Sequence, residues 1–172
     1  ITYPKKALVS SRCGRLPHLT KAARMADNRD MVKILLVEDN ASMREMLASI
    51  IVEKGYAVDA APDVSTGLAL LKKNDYGMIV SDLQLPDMDG LSFLKRVRDL
   101  QLPFIILTAY GSIEKAVEAI KEGAHDFIAK PVDPDYLLLM IHKALAATQI
   151  LRENLVLREV LQSEMGKTVI IG

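Results

Sequence analysis

Five polar residues stand out because each follows a short apolar run. Glu38 and Asp39 follow Val32–Val37, Asp82 follows Gly77–Ser81, Thr108 follows Phe104–Leu107, and Lys130 follows His125–Ala129. Crowded carboxylates are costly unless a cation neutralises them. Oxygen donors favour a hard ion, Mg²⁺ (or Mn²⁺), and Mg²⁺ takes few carboxylates plus waters. Asp39 and Asp82 are the natural direct ligands, with Glu38 acting through a water. Such a cation lets an anionic phosphoryl donor approach an anionic carboxylate and stabilises charge during in-line transfer. Asp82, directly after a strand, is then placed as a nucleophile. Lys130 offers a point charge to one phosphate oxygen, Thr108 a hydroxyl to another, and the small Ala109 leaves access open. Taken singly, each residue has a plainer reading. Lys130 would be a surface lysine, Thr108 a strand or capping residue, and Glu38-Asp39 an acidic pair at a helix start. Their combination, in this order, carries the chemistry.

Positioning these residues requires a repeated unit, and from Val32 strand and helix patterns alternate five times. Val32–Val37 is apolar apart from Lys33, as expected of a strand covered on both faces. Asn40 or Ser42 caps a helix to about Lys54, with Met43, Met46, Leu47, Ile50 and Ile51 on one face, and Gly55 ends it. Tyr56–Ala61 reads as the second strand. Asp63 caps a helix to about Lys73, with Leu68 and Leu71 inward. Gly77–Ser81 is the third strand, and the stretch from Leu85 to Gly90 is turn chemistry. Leu91–Leu100 reads as a helix with Leu91, Leu94 and Val97 inward. Phe104–Leu107 is the fourth strand, Ile113–Glu122 a helix ended by Gly123, and His125–Ala129 the fifth strand. The last helix starts near Asp133 or Asp135 and runs past Glu164. This alternation implies right-handed crossovers and a parallel sheet. Sites in such sheets lie at the carboxyl ends of the strands, where all five polar residues fall.

The chain of 172 residues is half apolar, which suits one globular domain with appendages. A domain of roughly 120 residues buries about two-thirds of its unfolded surface. One cysteine, Cys13, excludes an internal disulfide framework and fits a reducing cytoplasm. No stretch holds the ~18 apolar residues of a membrane span. The net charge of zero hides an asymmetry: residues 1–30 carry seven Lys or Arg against two Asp, a net of plus five, and the rest balances it. Such a segment can be a basic arm for nucleic acid. Its lack of periodicity favours a disordered or non-native extension over residues 1–31.

The segments VKILLVEDN (Val32–Asn40), IVSDLQLPDMDG (Ile79–Gly90), ILTAYGS (Ile106–Ser112) and FIAKP (Phe127–Pro131) resemble the receiver domains of bacterial two-component systems. The resemblance covers residues 32–146. It implies a CheY-like, flavodoxin-like α/β fold: five βα units and a parallel sheet of order 2-1-3-4-5. It implies Mg²⁺ dependence and a sensor histidine kinase as donor. Asp82 matches the phosphoacceptor, Glu38 and Asp39 the acidic pair, and the Gln84 backbone carbonyl a further metal ligand. Lys130 matches the family lysine, Thr108 and Phe127 its hydroxyl and aromatic switch, and the Lys130–Pro131 bond is expected cis. On phosphorylation, Thr108 would move toward Asp82 and Phe127 into the space left. The face of the fourth helix, fifth strand and fifth helix would then change. From spacing alone, Phe127 reads first as core.

Beyond the receiver, residues 147–165 read as a helical linker. Ala147, Ile150, Asn154, Leu157 and Leu161 fit an a/d heptad with Asn154 at a. A competing register uses Thr148, Leu151 and Leu155, and a helix packed on its own domain is a further reading. The stretches 108–145 and 150–161 are similar to NtrC-type regulators. There a dimerising helix joins the receiver to an ATPase that activates sigma-54 RNA polymerase. Residues 166–172 resemble the start of that AAA+ domain. The resemblance implies a homodimer through the fifth helix and linker, with DNA and polymerase reached only through domains outside this chain. No Gly-x-x-x-x-Gly-Lys-Ser/Thr occurs, so the chain is expected not to bind ATP. It is also expected to be no enzyme beyond self-catalysed phosphorylation and dephosphorylation.

Three rivals are weaker. An FMN site needs a hydroxyl- or glycine-rich loop after the first strand, where Glu38-Asp39 stands. A haloacid-dehalogenase-type phosphatase places Asp-x-Asp after the first strand, whereas Asp87-x-Asp89 follows the third. A phosphorylation-independent interaction module would not need the complete set of polar residues.

Overall fold

The computed structural model describes residues 31–109 and 113–168. The extension expected over residues 1–31 lies, except for Met31, outside the described residues. Five strands form one parallel sheet in the order β2-β1-β3-β4-β5: β1 (Lys33–Val37), β2 (Ala57–Ala61), β3 (Met78–Asp82), β4 (Phe104–Thr108) and β5 (Asp126–Ala129). The crossovers are α1 (Ala41–Glu53), α2 (Val64–Lys73), α3 (Gly90–Val97) and α4 (Ile113–Lys121), and α5 (Pro134–Thr168) follows β5. The expected topology is therefore present.

Strand alternation splits the core in two. Ile34, Leu36, Met78, Val80, Ile105 and Leu107 pack with Leu47 and Ile51 of α1 and Leu137 and Ile141 of α5. Leu35, Val37, Ile79, Phe104 and Ile106 face Val64 of α2, the Phe93–Val97 end of α3 and Ala119 of α4. Burying each large side chain contributes roughly 1.5–3 kcal/mol. Phe93 meets Phe104 edge-on, with centroids 5.4 Å apart. Asn40 caps α1 by accepting from Met43 N, and Asp63 caps α2 by accepting from Thr66 N. Gly55 and Gly123, at the ends of α1 and α4, have φ of 97° and 112°, which suits residues without Cβ.

Some expectations shift. Met46 is exposed because it lies about 100° round α1 from Leu47, off the packed face. The third helix ends at Val97 and tightens into a 3₁₀ turn over Arg98–Leu100. Asp82 is itself the last residue of β3. The largest difference concerns α5. Leu137, Met140, Ile141 and Ala144 are buried, yet every residue from Gln149 to Gly166 is exposed. Packing on its own domain thus holds only to Thr148. The reason is length: helix rises about 1.5 Å per residue, and five-residue strands offer roughly 17 Å of sheet. Gly166–Thr168 continue α5, and residues 169–172 lie outside the described residues. No helix among the described residues is long and apolar enough to cross a membrane.

Candidate functional site

The strand ends define the site. Glu38 leaves β1 with its N–H donating 3.0 Å to Ala61 O, and Leu83 leaves β3 with its N–H 2.8 Å from Leu107 O. Lys130 leaves β5 with its N–H 2.7 Å from Thr108 O. Each bond extends the sheet pairing by one residue, so the side chains emerge at one rim. The Lys130–Pro131 peptide is cis.

The Lys130 ammonium donates to Glu38 Oε2 and to Asp82 Oδ2, at 2.9 Å each. Glu38 and Thr108 are buried, and Asp82 is 6% exposed. Asp39 is exposed. One carboxylate oxygen from each of Glu38, Asp39 and Asp82 falls within 4.8 Å of the others. Three carboxylates against one ammonium leave negative charge at the rim. That oxygen-only donor set fits a hard divalent cation. Asn40 N donates to Glu38 Oε1 at 3.2 Å, and Gln84 N to Asp82 Oδ1 at 3.3 Å, so Gln84 lies beside the acidic group.

Burial holds the Glu38 carboxyl above its ordinary value of 4.5, and the Asp82 charge adds to this, against the donors Lys130 and Asn40 N–H. For Lys130, burial opposes the charge, but Asp82 and Glu38 together raise it above its ordinary 10.5. The Thr108 hydroxyl donates to Ala109 O at 3.3 Å, a long bond. Ile106 pairs with Phe127 and Thr108 with Ala129, so the Thr108 and Phe127 side chains share one sheet face. Phe127 is partly buried against the core on that face.

Two neighbours escaped the sequence reading. The Arg44 guanidinium donates to Glu38 O at 2.9 Å and Asp39 O at 3.3 Å, pinning the backbone of the acidic pair. A signal existed: a cation in the first turns of a helix runs against the dipole. Asp87, read only as turn chemistry, accepts from the first turn of α2.

Residues 34–142 match the response regulator receiver domain family. The chain belongs to the response regulator receiver family. The receiver is 38% identical over 125 residues to the transcriptional regulatory protein HprR of Escherichia coli, covering 72% of this chain and 56% of that protein. It is 32% identical over 146 residues to a putative NtrX-like response regulator of Rickettsia bellii, covering 83% of this chain and 30% of that protein. Among solved structures, NtrX from Brucella abortus superposes with a TM-score of 0.71 at 32% identity, over 74% of this chain and 29% of that one. The chain spans between 27% and 56% of the length of these and other curated relatives. Receiver membership displaces the FMN-site and phosphatase readings.

Proposed function

We propose that this receiver accepts a phosphoryl group on Asp82 from a sensor histidine kinase and thereby switches dimerisation and output. The observation that carries the reading is the Lys130 ammonium, 2.9 Å from both Glu38 and Asp82 at the end of β3. An Asp82 carboxylate oxygen attacks phosphorus in line, the donor's P–N bond breaks, and an acyl phosphate forms. Lys130 moves from the carboxylate to a phosphoryl oxygen. Thr108 exchanges its long bond to Ala109 O for a second phosphoryl oxygen, and Phe127, on the same sheet face, follows it. Glu38, Asp39, Asp82 and the Gln84 carbonyl would hold Mg²⁺ (or Mn²⁺), which when bound offsets the charge of donor and nucleophile. The chain acts on its own aspartate and on no other substrate, in the cytoplasm. Incubation with Mg²⁺ and acetyl phosphate, read by intact mass, should add one phosphoryl group to wild type and none to Asp82→Asn. Equal labelling of the two would sink the proposal.

The output half of the proposal rests on α5. Thr148, Leu151 and Leu155 continue the face that packs on the sheet. Ile150, Asn154, Leu157 and Leu161 lie about 120° away round the helix, in line with exposed Tyr136 and Leu139. A second copy covers this stripe, with Asn154 facing its counterpart at an a position. Through that dimer the receiver controls sigma-54-dependent transcription by domains outside this chain. Light scattering should report a dimer with beryllofluoride, lost in Leu157→Asp and kept in Leu151→Asp. A monomer with and without beryllofluoride would count against the stripe.

A further inference from the structure

The loop from Leu83 to Asp89 carries Gln84 past the acidic rim and is held at two points. Its root is closed by Gly90 N–H donating to Leu83 O at 2.7 Å. A Cβ on Gly90 would sit 2.5 Å from Asp82 O and 2.9 Å from Leu83 Cα, so the start of α3 rests directly on the backbone of the nucleophile. The tip is held by Asp87. Its Oδ1 accepts from Val64 N at 3.0 Å, and its Oδ2 from Ser65 N at 2.8 Å and Ser65 Oγ at 2.7 Å.

Capping alone does not account for this contact. α2 already has its own cap, Asp63, which accepts from Thr66 N at 2.7 Å. Asp87 takes the two preceding donors from 22 and 23 residues away. It adds a second negative charge beside Asp63 at the start of α2. Ala61, three residues before Val64, accepts from Glu38 N. The loops after β1, β2 and β3 are thus tied around one rim, and Asp87 is the tie that holds the third.

We propose that Asp87 is a positioning residue: by anchoring the loop tip to α2, it sets the Gln84 peptide at the acidic rim and so tunes divalent-cation affinity. The proposal rests on the reading of that rim as a cation site. Burial acts to raise the Asp87 carboxyl, but the Ser65 and Val64 donors outweigh it and hold it below its ordinary 3.8, so the tether stays charged at neutral pH.

The test is calorimetric titration of the whole chain with MgCl₂, alongside melting temperatures. Residues outside the ligand shell commonly change metal affinity by about tenfold or more, and Asp87→Ala should weaken Mg²⁺ binding by roughly tenfold. Asp63→Ala removes the α2 cap without touching the loop and should leave affinity within about twofold of wild type while lowering the melting temperature comparably. Asp87→Asn, a gentler change, should fall between wild type and Asp87→Ala. Unchanged affinity in both Asp87 variants, or equal weakening by Asp63→Ala, would overturn the positioning role alone. Wild type that takes up no Mg²⁺ would overturn the cation reading as well.

Discussion

Two lysine–carboxylate clusters sit at different levels of the same sheet, and their balance differs. At the carboxyl rim Lys130 faces Glu38 and Asp82, with Asp39 beside them. Toward the amino end Lys33 pairs with Asp59 at 2.7 Å, and the Tyr76 hydroxyl donates to the same carboxylate at 2.6 Å. The Lys33 ammonium lies 5.6 Å from the Tyr76 ring centre. In this second cluster one cation and one phenol satisfy one anion. Burial would raise the Asp59 carboxyl, but Lys33 and Tyr76 outweigh it and hold it below its ordinary 3.8. Burial and the Asp59 charge push the Tyr76 phenol the other way, far above its ordinary 10. The first cluster has more anions than its lysine can serve; there burial, with a smaller push from the Asp82 charge, holds Glu38 above its ordinary value. In the balanced cluster charge is matched within the fold, whereas at the rim three carboxylates share one ammonium.

Substitutions at the two clusters, measured by urea unfolding in EDTA, should separate them. Lys130→Met leaves two buried carboxylates unpaired and should cost about 3 kcal/mol at pH 8, with a smaller loss at pH 5, where Glu38 takes up a proton more readily. A loss below that of Lys33→Met would collapse the distinction. Asp82→Asn removes surplus charge and should gain about 1 kcal/mol, and a clear loss instead would mean the rim is balanced without metal. Asp59→Asn should lose about 1 kcal/mol at neutral pH.

The pH dependence should run in opposite directions at the two clusters. Asp59 is depressed, so its contribution is present above its unfolded value near 3.8 and disappears as pH falls through the folded value. The Asp59→Asn and wild-type curves should therefore converge at the acid end. Glu38 is raised, so ionising it costs stability as pH climbs above 4.5 toward the folded value. Glu38→Gln should therefore overtake wild type as pH rises through that window. Parallel curves for both variants would contradict the assigned directions.

The carboxyl rim was legible because its members end apolar runs. A run ending in Asp82 or Lys130 announces both the strand and the place where the strand stops. The balanced cluster was not legible. Asp59 interrupts a weak strand pattern, Tyr76 precedes another, and only the fold brings them together across 17 residues. Asp87 was hidden for a similar reason, since Asp in a Pro-containing loop is already explained as a turn residue. The tail of α5 was legible as helix, but periodicity does not reveal where a supporting sheet runs out. That is why two registers, one through Leu157 and Leu161 and one through Leu151 and Leu155, competed over one stretch of helix.

The length of α5 has a mechanical meaning. Its first four turns are seated on the sheet, and the residues from Gln149 to Gly166 stand clear of it. Such a helix is a lever whose seat begins beside the acidic rim and whose fulcrum, at Thr148, lies at the amino end of the strands. Over the roughly 30 Å of free arm that twenty residues provide, a tilt of about 10° at the seat sweeps the tip by about 5 Å. A rearrangement too small to disturb the core would thereby be magnified into a displacement the size of a helical turn.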